Sequence, residues 1–396
     1  MKIPQGYKQT EVGIIPEDWS IMQLGDIGTF SKGSGISKDE SNSGNIPCIR
    51  YGEIYTIHDF YIKKYHSFIS EDIAKQSKLL KYGDILFAAS GETKEDIGKC
   101  VAFLSDCKAY AGGDIIILSP KVHSFDSKYL GYILNTSEIA KQKASKGQGD
   151  AIVHITTETL SNLIVPIPPT IEEQRRIAEV LSDVDGLITA LDKKIAKKKL
   201  IKQASMQQLL TGKKRLKEFS DEWHAITLGE LADIYQPATI SQEDFTIDGY
   251  DVYGANGIIG KFSQYNHTTD QILITCRGSS CGSVNYSTGR CWITGNAMVI
   301  NMDNCKIADK QFVYYDLLNC DLSELITGSG QPQIVRSPLQ EYELCIPLNM
   351  EEQQAIATIL SDMDKEISDL ERKRDKYKLL KNGMMQKLLT GQIRIK

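Results

Sequence analysis

Nine cysteines, at 48, 100, 107, 276, 281, 291, 305, 320 and 345, and six histidines, at 58, 66, 123, 154, 224 and 267, are the side chains best suited to hold a metal or supply a nucleophile. No cysteine pair has CxxC spacing, and the intervals of five and ten among Cys276, Cys281 and Cys291 match no common zinc module. The histidines show no ligand pairing. The cysteines therefore read as reduced, mostly buried thiols of a cytosolic protein. One carboxylate arrangement invites a nuclease reading: Asp84 precedes Glu92-Thr93-Lys94, a pattern that can set two carboxylates and a lysine around a divalent metal. Among 51 acidic residues such triplets arise by chance, and GDILFAASGETKEDIG reads as a strand running into a surface turn. GxGxxG after a strand, GxxxxGK[ST], HExxH and GxSxG are all absent. The chain is thus expected to have no catalytic residues, no metal and no cofactor of its own.

What organises the chain is a duplication. PIPPTIEEQRRIAEVLSDVD at 166–185 returns as CIPLNMEEQQAIATILSDMD at 345–364, an offset of 179 residues without a gap. The same offset relates MQQLLTG at 206–212 to MQKLLTG at 385–391. EDWSIMQLGDI at 17–27 is echoed by DEWHAITLGEL at 221–231, now 204 residues on. Two units with a common frame and divergent interiors follow. The frame is helical: Ile177, Leu181, Val184, Ile188 and Leu191 in one copy, and Ile356, Leu360, Met363, Ile367 and Leu370 in the other, fall at heptad spacing. Each run would form a helix roughly 55–60 Å long at 1.5 Å per residue. The economical partner for one such seam is the other, as an antiparallel coiled coil. Packing is expected to be continuous mainly in the N-terminal half of each helix, because Arg374 and Lys198 interrupt the later seam.

The interiors, about 17–165 and 221–344, read as mixed α/β. DILFAAS (84–90), DIIILSP (114–120), QILITCR (271–277) and NAMVINM (296–302) look like strands, and 126–143 and 309–326 like helices. The fold class is α/β: two mixed α/β domains separated by two long antiparallel helices in a pseudo-two-fold tandem repeat. The boundaries are 1–165, 166–214, 215–344 and 345–396.

Composition excludes other classes. The 396 residues are 41% hydrophobic and 24% charged, which is globular rather than disordered. No apolar run approaches the roughly 18–20 residues that cross a bilayer, and the first residues lack an apolar signal core, so neither a membrane span nor secretion is expected. The net charge of −5 hides an uneven distribution: residues 192–217 carry ten Lys or Arg against one acid, and residues 220–333 five against fourteen. A local positive surface binds a polyanion whatever the total.

The duplicated EEQ blocks, their helices, the LLTG endings, the Trp19 and Trp223 openings and GSGQPQI at 328–334 strongly resemble the specificity subunit of type I restriction-modification systems. In the first half GSGQPQI is degenerate, KGQGDAIVHI at 146–155. The resemblance implies two target recognition domains that read a split, asymmetric double-stranded DNA site, with helices that set the gap and dock two methyltransferase (modification) subunits. It also implies that S-adenosylmethionine, ATP and Mg2+ belong to partners, namely the adenine N6 methyltransferase and the restriction/translocase subunits reached through it. A cytoplasmic place follows. DNA contact requires donors for base edges and cations for phosphates. Beside Gly-containing turns these are Lys32, Arg50, Tyr51, Lys94 and Lys99 in the first domain, and Tyr253, Asn256, Lys261, Arg277 and Arg290 in the second. Gln331 and Gln333 join them from the GSGQPQI turn. Lys193, Lys194, Lys197, Lys198 and Lys199 read as a DNA-backbone contact, a subunit-docking face or a solvated helix face.

Overall fold

The computed structural model describes residues 3–121, 124–147, 153–328 and 330–395. Contacts divide the chain into two compact units, one of residues 1–190 with 374–396 and one of residues 191–373. Two helices of 39 residues each, Ile171–Leu209 and Met350–Leu388, contribute their first and last parts to different units.

Local chemistry sets the limits of both. Thr170 opens the first long helix by accepting the Glu173 amide on its hydroxyl, and the Asn349 side chain accepts the Glu351 amide at 2.9 Å in the second. Glu172, Glu173, Glu351 and Glu352 lie in the first turns, where carboxylates complement the helix dipole. Beyond the last turns Gly212 and Gly391 adopt left-handed backbone, with φ of +66° and +70°. A Cβ on Gly391 would stand 2.5 Å from the Pro16 ring, so glycine is required there for space as well as conformation.

In the first unit an antiparallel sheet orders Cys100–Ala102, Ile85–Ala88, Ile115–Pro120 and Gly28–Lys32. In the second, Val284–Tyr286, Ile272–Thr275, Ala297–Asn301 and Asp233–Tyr235 follow the same order, again antiparallel. Beside it lies a smaller sheet with one parallel pair: Ile46–Ile49 with Tyr110–Ala111, or Tyr250–Gly254 with Cys291–Ile293. The interiors, so different in sequence, are two versions of one topology. A two-stranded ribbon closes each: Ser20–Gln23 pairs with Ile164–Ile167, and Trp223–Thr227 with Glu343–Pro347. The tryptophan block and the proline block recur together because they are the two halves of that ribbon.

The recurring motif residues fasten each domain to its helices. Gln174 and Gln353 accept the backbone amides of Asp126 and Asp309, at 2.9 and 2.6 Å. These aspartates in turn cap the helices Ser127–Ile133 and Lys310–Asn319. In the first unit Arg394 grips buried Glu173 with Nε and Nη2, at 2.5 and 2.8 Å, its guanidinium over Trp19. In the second Arg215 does the same to Glu352 at 2.7 and 2.8 Å, over Trp223. Asp185 accepts the Tyr132 hydroxyl at 2.6 Å and pairs with Lys381 at 2.5 Å. Asp364 accepts from Tyr315 at 2.8 Å and pairs with Lys202 at 2.6 Å. Within each unit the long-helix segments therefore run antiparallel.

The seam is buried at Ile177, Leu181, Val184, Ile356, Leu360 and Ile367, and half-buried at Ile188, Leu191, Met363 and Leu370. Ile195 is buried as well, so apolar contact in the first helix reaches further than its early half. The expected strands appear within a residue or two. The expected helix 126–143 is instead two, Ser127–Ile133 and Ser137–Lys146, and 309–326 gives Lys310–Asn319 and a short 3-10 turn. Thr136, whose extended backbone opens the second helix, bends the chain where periodicity alone ran straight on.

Beneath the smaller sheet of the first unit lies a buried polar cluster. Ser67 donates to Glu53, and His58 Nε2 stands 4.0 Å from the same carboxyl group. Burial first, then His66 and Lys99, push the His58 imidazole down to about 4. Unfolded histidine titrates near 6.5, so below that pH the unfolded chain gains a proton that the folded chain refuses until about pH 4. Stability is therefore retained above about pH 6.5 and lost through that window. Between pH 7 and pH 5, wild type should lose about 2 kcal/mol more than His58→Gln in urea unfolding. Identical pH dependence in the two proteins would contradict this origin.

Candidate nucleic-acid interface

In the first unit Lys32 ends its strand exposed. Arg50 precedes the helix Tyr51–Thr56 and its Nη1 donates to Ser41 Oγ at 3.4 Å. With exposed Tyr51 and the Gly112-Gly113 turn it lines an open cleft of about 560 Å³. Ile36, in the same cleft, holds left-handed backbone at φ +63°, a costly conformation for a β-branched residue. Lys94 is exposed on the turn after the inner strand. Lys99 is half-buried, donates to the Tyr55 carbonyl at 3.2 Å, and has its pKa lowered by burial. Asp84, half of the nuclease-like pattern, is buried and accepts from Ser119 Oγ and the Lys81 amide, while Glu92 is exposed on the turn. Asp84 thus serves as a turn anchor.

In the second unit Asn256 sits exposed at a hairpin tip, and Lys261 pairs with Asp251 at 3.3 Å. Arg290 lies over the Tyr265 ring at 5.4 Å. Tyr253 is buried in the core, its hydroxyl 3.2 Å from Thr288 Oγ1, and presents no surface to a ligand. Gln331 is exposed. Arg277 and Gln333 come together: their backbones form a bridge, and both side chains line a cleft of about 300 Å³ with Tyr235, Gln236 and Arg336. Sequence reasoning missed Gln236 and Arg336. Aligning ILFAASG with ILITCRG would have exposed the common strand and, from it, the neighbours of that edge.

The lysine cluster divides. Lys198 pairs with Glu366 and Lys199 with Glu371, each at 2.7 Å, whereas Lys193, Lys194 and Lys197 are exposed. The nine cysteines are all free thiols. Among the described residues no group of three or more His, Cys, Asp or Glu is placed to hold a metal ion, and no helix is long and apolar enough to cross a membrane. His123 and part of the KGQGDAIVHI turn lie outside the described residues, as does Ser329 of GSGQPQI.

The family model for the type I restriction modification DNA specificity domain matches residues 16–202 and again 220–379. The chain belongs to that family. It is a specificity subunit, the non-catalytic component that recognises DNA and docks the methyltransferase and restriction subunits of a type I system. The MjaX type I restriction enzyme specificity subunit of Methanocaldococcus jannaschii is 28% identical over 425 aligned positions, covering 99% of this chain and 97% of that one. The EcoprrI specificity subunit of Escherichia coli is 31% identical over 116 residues, 29% of this chain and 28% of the other. The fold is shared with the crystal structure of the type I S subunit from M. genitalium, at a TM-score of 0.68, 17% identity and 98% coverage of both chains.

Proposed function

We propose that this specificity subunit reads an asymmetric bipartite DNA target, one half through each recognition domain (1–165 and 215–344), with the helices between them setting the gap. The observation that carries the reading is one topology built twice around unlike side chains: Arg50 and Tyr51 line a cleft in one unit, Arg277 and Gln333 in the other. Equal frames predict equal docking, and unlike faces predict unlike half-sites. The helical frame is repeated in both units, and the subunit acts in the cytoplasm.

Two methyltransferase subunits dock, one on each copy of the helical frame. In support, Leu200 and Ile201 are exposed on one helix, and Leu379 and Leu380, at the same repeat positions, on the other. The docked partners supply S-adenosylmethionine chemistry at adenine N6, and the restriction subunits ATP-dependent translocation and cleavage.

Co-expression with the methyltransferase subunit, followed by sequencing of methylated genomic positions, tests the reading. A split motif with unlike halves and a constant gap is expected; a palindromic or uninterrupted motif would refute it. Within the same framework, replacing Lys193, Lys194 and Lys197 with Ala should weaken binding to target and random duplexes alike. It should also lower the slope of log affinity against log salt by about 0.9 for each phosphate no longer neutralised. Unchanged binding in a salt titration would leave those lysines a docking or solvated face.

A further inference from the structure

The matched topology aligns the two units residue by residue, including places the sequences alone leave unaligned. Ile85 and Ile272 open the equivalent inner strands, which puts Ser90 at the place of Arg277. The amide of Ile155 donates to the Ala89 carbonyl at 3.0 Å, and that of Ile334 to the Cys276 carbonyl at 3.1 Å, so His154 occupies the place of Gln333. The helices that follow, Thr157–Ser161 and Arg336–Gln340, make Thr157 the counterpart of Arg336. On the edge strand the register pairs Ser31 with Ile117 and Tyr235 with Val299, which places Lys32 at the position of Gln236.

Four equivalent positions therefore carry Lys32, Ser90, His154 and Thr157 in one unit, and Gln236, Arg277, Gln333 and Arg336 in the other. The backbone around them is common. The chemistry is not. In the second unit two guanidinium groups stand beside two amides around one cleft. Gln236 spends its amino group on Cys276 Sγ at 2.8 Å and on the Gly295 carbonyl at 3.3 Å, which turns its carbonyl oxygen into a fixed acceptor. Arg277 has no ion pair among the described residues, and Arg336 only a 3.5 Å contact to exposed Asp233. In the first unit Ser90 Oγ and His154 Nδ1 lie 3.0 Å apart, leaving exposed His154 its Nε2, and Lys32 ends the edge strand exposed.

We infer that these four positions set the sequence read by each recognition domain, the second through base edges rather than phosphates. This rests on the bipartite reading above. Residues 220–333 carry five cations against fourteen carboxylates, so their field repels a phosphate backbone. A guanidinium there gains most from a guanine O6/N7 edge, and a fixed amide oxygen from an exocyclic amino group of adenine or cytosine. The polar groups of the first unit, an imidazole nitrogen and an ammonium, differ from these and select a different half-site. Thr157 and Ser90 are short and uncharged, so the first unit lacks the two guanidinium groups of the second.

The test transplants one chemistry onto the other frame. The full chain carrying Gln236→Lys, Arg277→Ser, Gln333→His and Arg336→Thr is co-expressed with the methyltransferase subunit, and its methylated positions are sequenced against wild type. Methylation of the original motif should fall at least about tenfold, the order of one bidentate pair between side chain and base. One half-site should change, with the other half and the gap intact. Should the quadruple variant fail to accumulate, Arg277→Ser alone is measured in the assembled complex. About tenfold weaker binding to the target duplex, with random duplex unaffected, is then expected. Persistence of the wild-type motif at full efficiency, or equal losses on both duplexes, overturns the assignment while leaving the bipartite reading in place. A wild-type complex that methylates no split motif overturns both.

Discussion

Exchange of residues 221–344 for the matching segment of a relative should replace one half of the methylated target and leave the other half and the gap unchanged. Methylation of the original site should fall on the order of 10³-fold, because several mismatched pairs at about 1–3 kcal/mol each add nearly independently. The physical basis is the way the second domain is fastened. Trp223–Thr227 and Glu343–Pro347 pair through backbone, which tolerates a foreign sequence. The polar side-chain contacts to the helices include Tyr315 to Asp364 and Gln353 to the Asp309 amide and the Ile307 carbonyl, beside apolar packing on Ile356, Ala357 and Leu360. A donor segment that keeps Tyr and Asp at those places should assemble; one that lacks them should assemble less stably while still redirecting one half-site. Methylated-site sequencing of the chimaera decides the matter. A change in both halves, or in the gap, would mean that the domain and the spacer are not separable.

The second large effect concerns the ion pair in the first unit. Lys381 and Asp185 are about nine-tenths buried, 2.5 Å apart, with the ammonium 3.9 Å from the centre of the Phe60 ring. Burial lowers the Lys381 pKa and Asp185 opposes that fall. Lys381→Met keeps the stem but leaves the carboxylate to Tyr132 alone, which should cost about 3–5 kcal/mol in urea unfolding. Adding Asp185→Asn should restore most of the loss, since replacing both charges is far cheaper than stranding one. The equivalent Lys202→Met should cost less, because Asp364 is 43% exposed and can turn to water. Equal costs at the two sites, or no rescue by the second substitution, would show that these pairs contribute by packing rather than by charge.

The strength of the repeat in the sequence matches what the repeated residues do. Glu173, Gln174, Asp185 and Arg394, with their partners 179 residues away, are buried or half-buried and joined to one another or to the domain core. Their identities are bound to geometry, so the two copies stay legible. The interiors diverge because burial at Ile85–Ala88 or Ile272–Thr275 demands only apolar side chains of suitable volume. Their common topology was accordingly invisible until strand order and register were known. The clefts were less legible still. Arg277 and Gln333 are 56 residues apart and meet through a backbone bridge, and Gln236 and Arg336 reach the same cleft from a strand edge and a short helix.

The sequence by itself determined the duplication, the two long helices, the inner strands and the absence of the common catalytic motifs, because each is written in local spacing or periodicity. The tertiary structure decided the rest. It turned Lys198 and Lys199 toward Glu366 and Glu371, took Tyr253 into the core, committed Asp84 to its turn, and gathered four distant side chains around one cleft in the second unit. Charge and hydrogen-bonding capacity belong to a residue type, but which group answers them is settled only when folding brings remote segments within about 3 Å of each other.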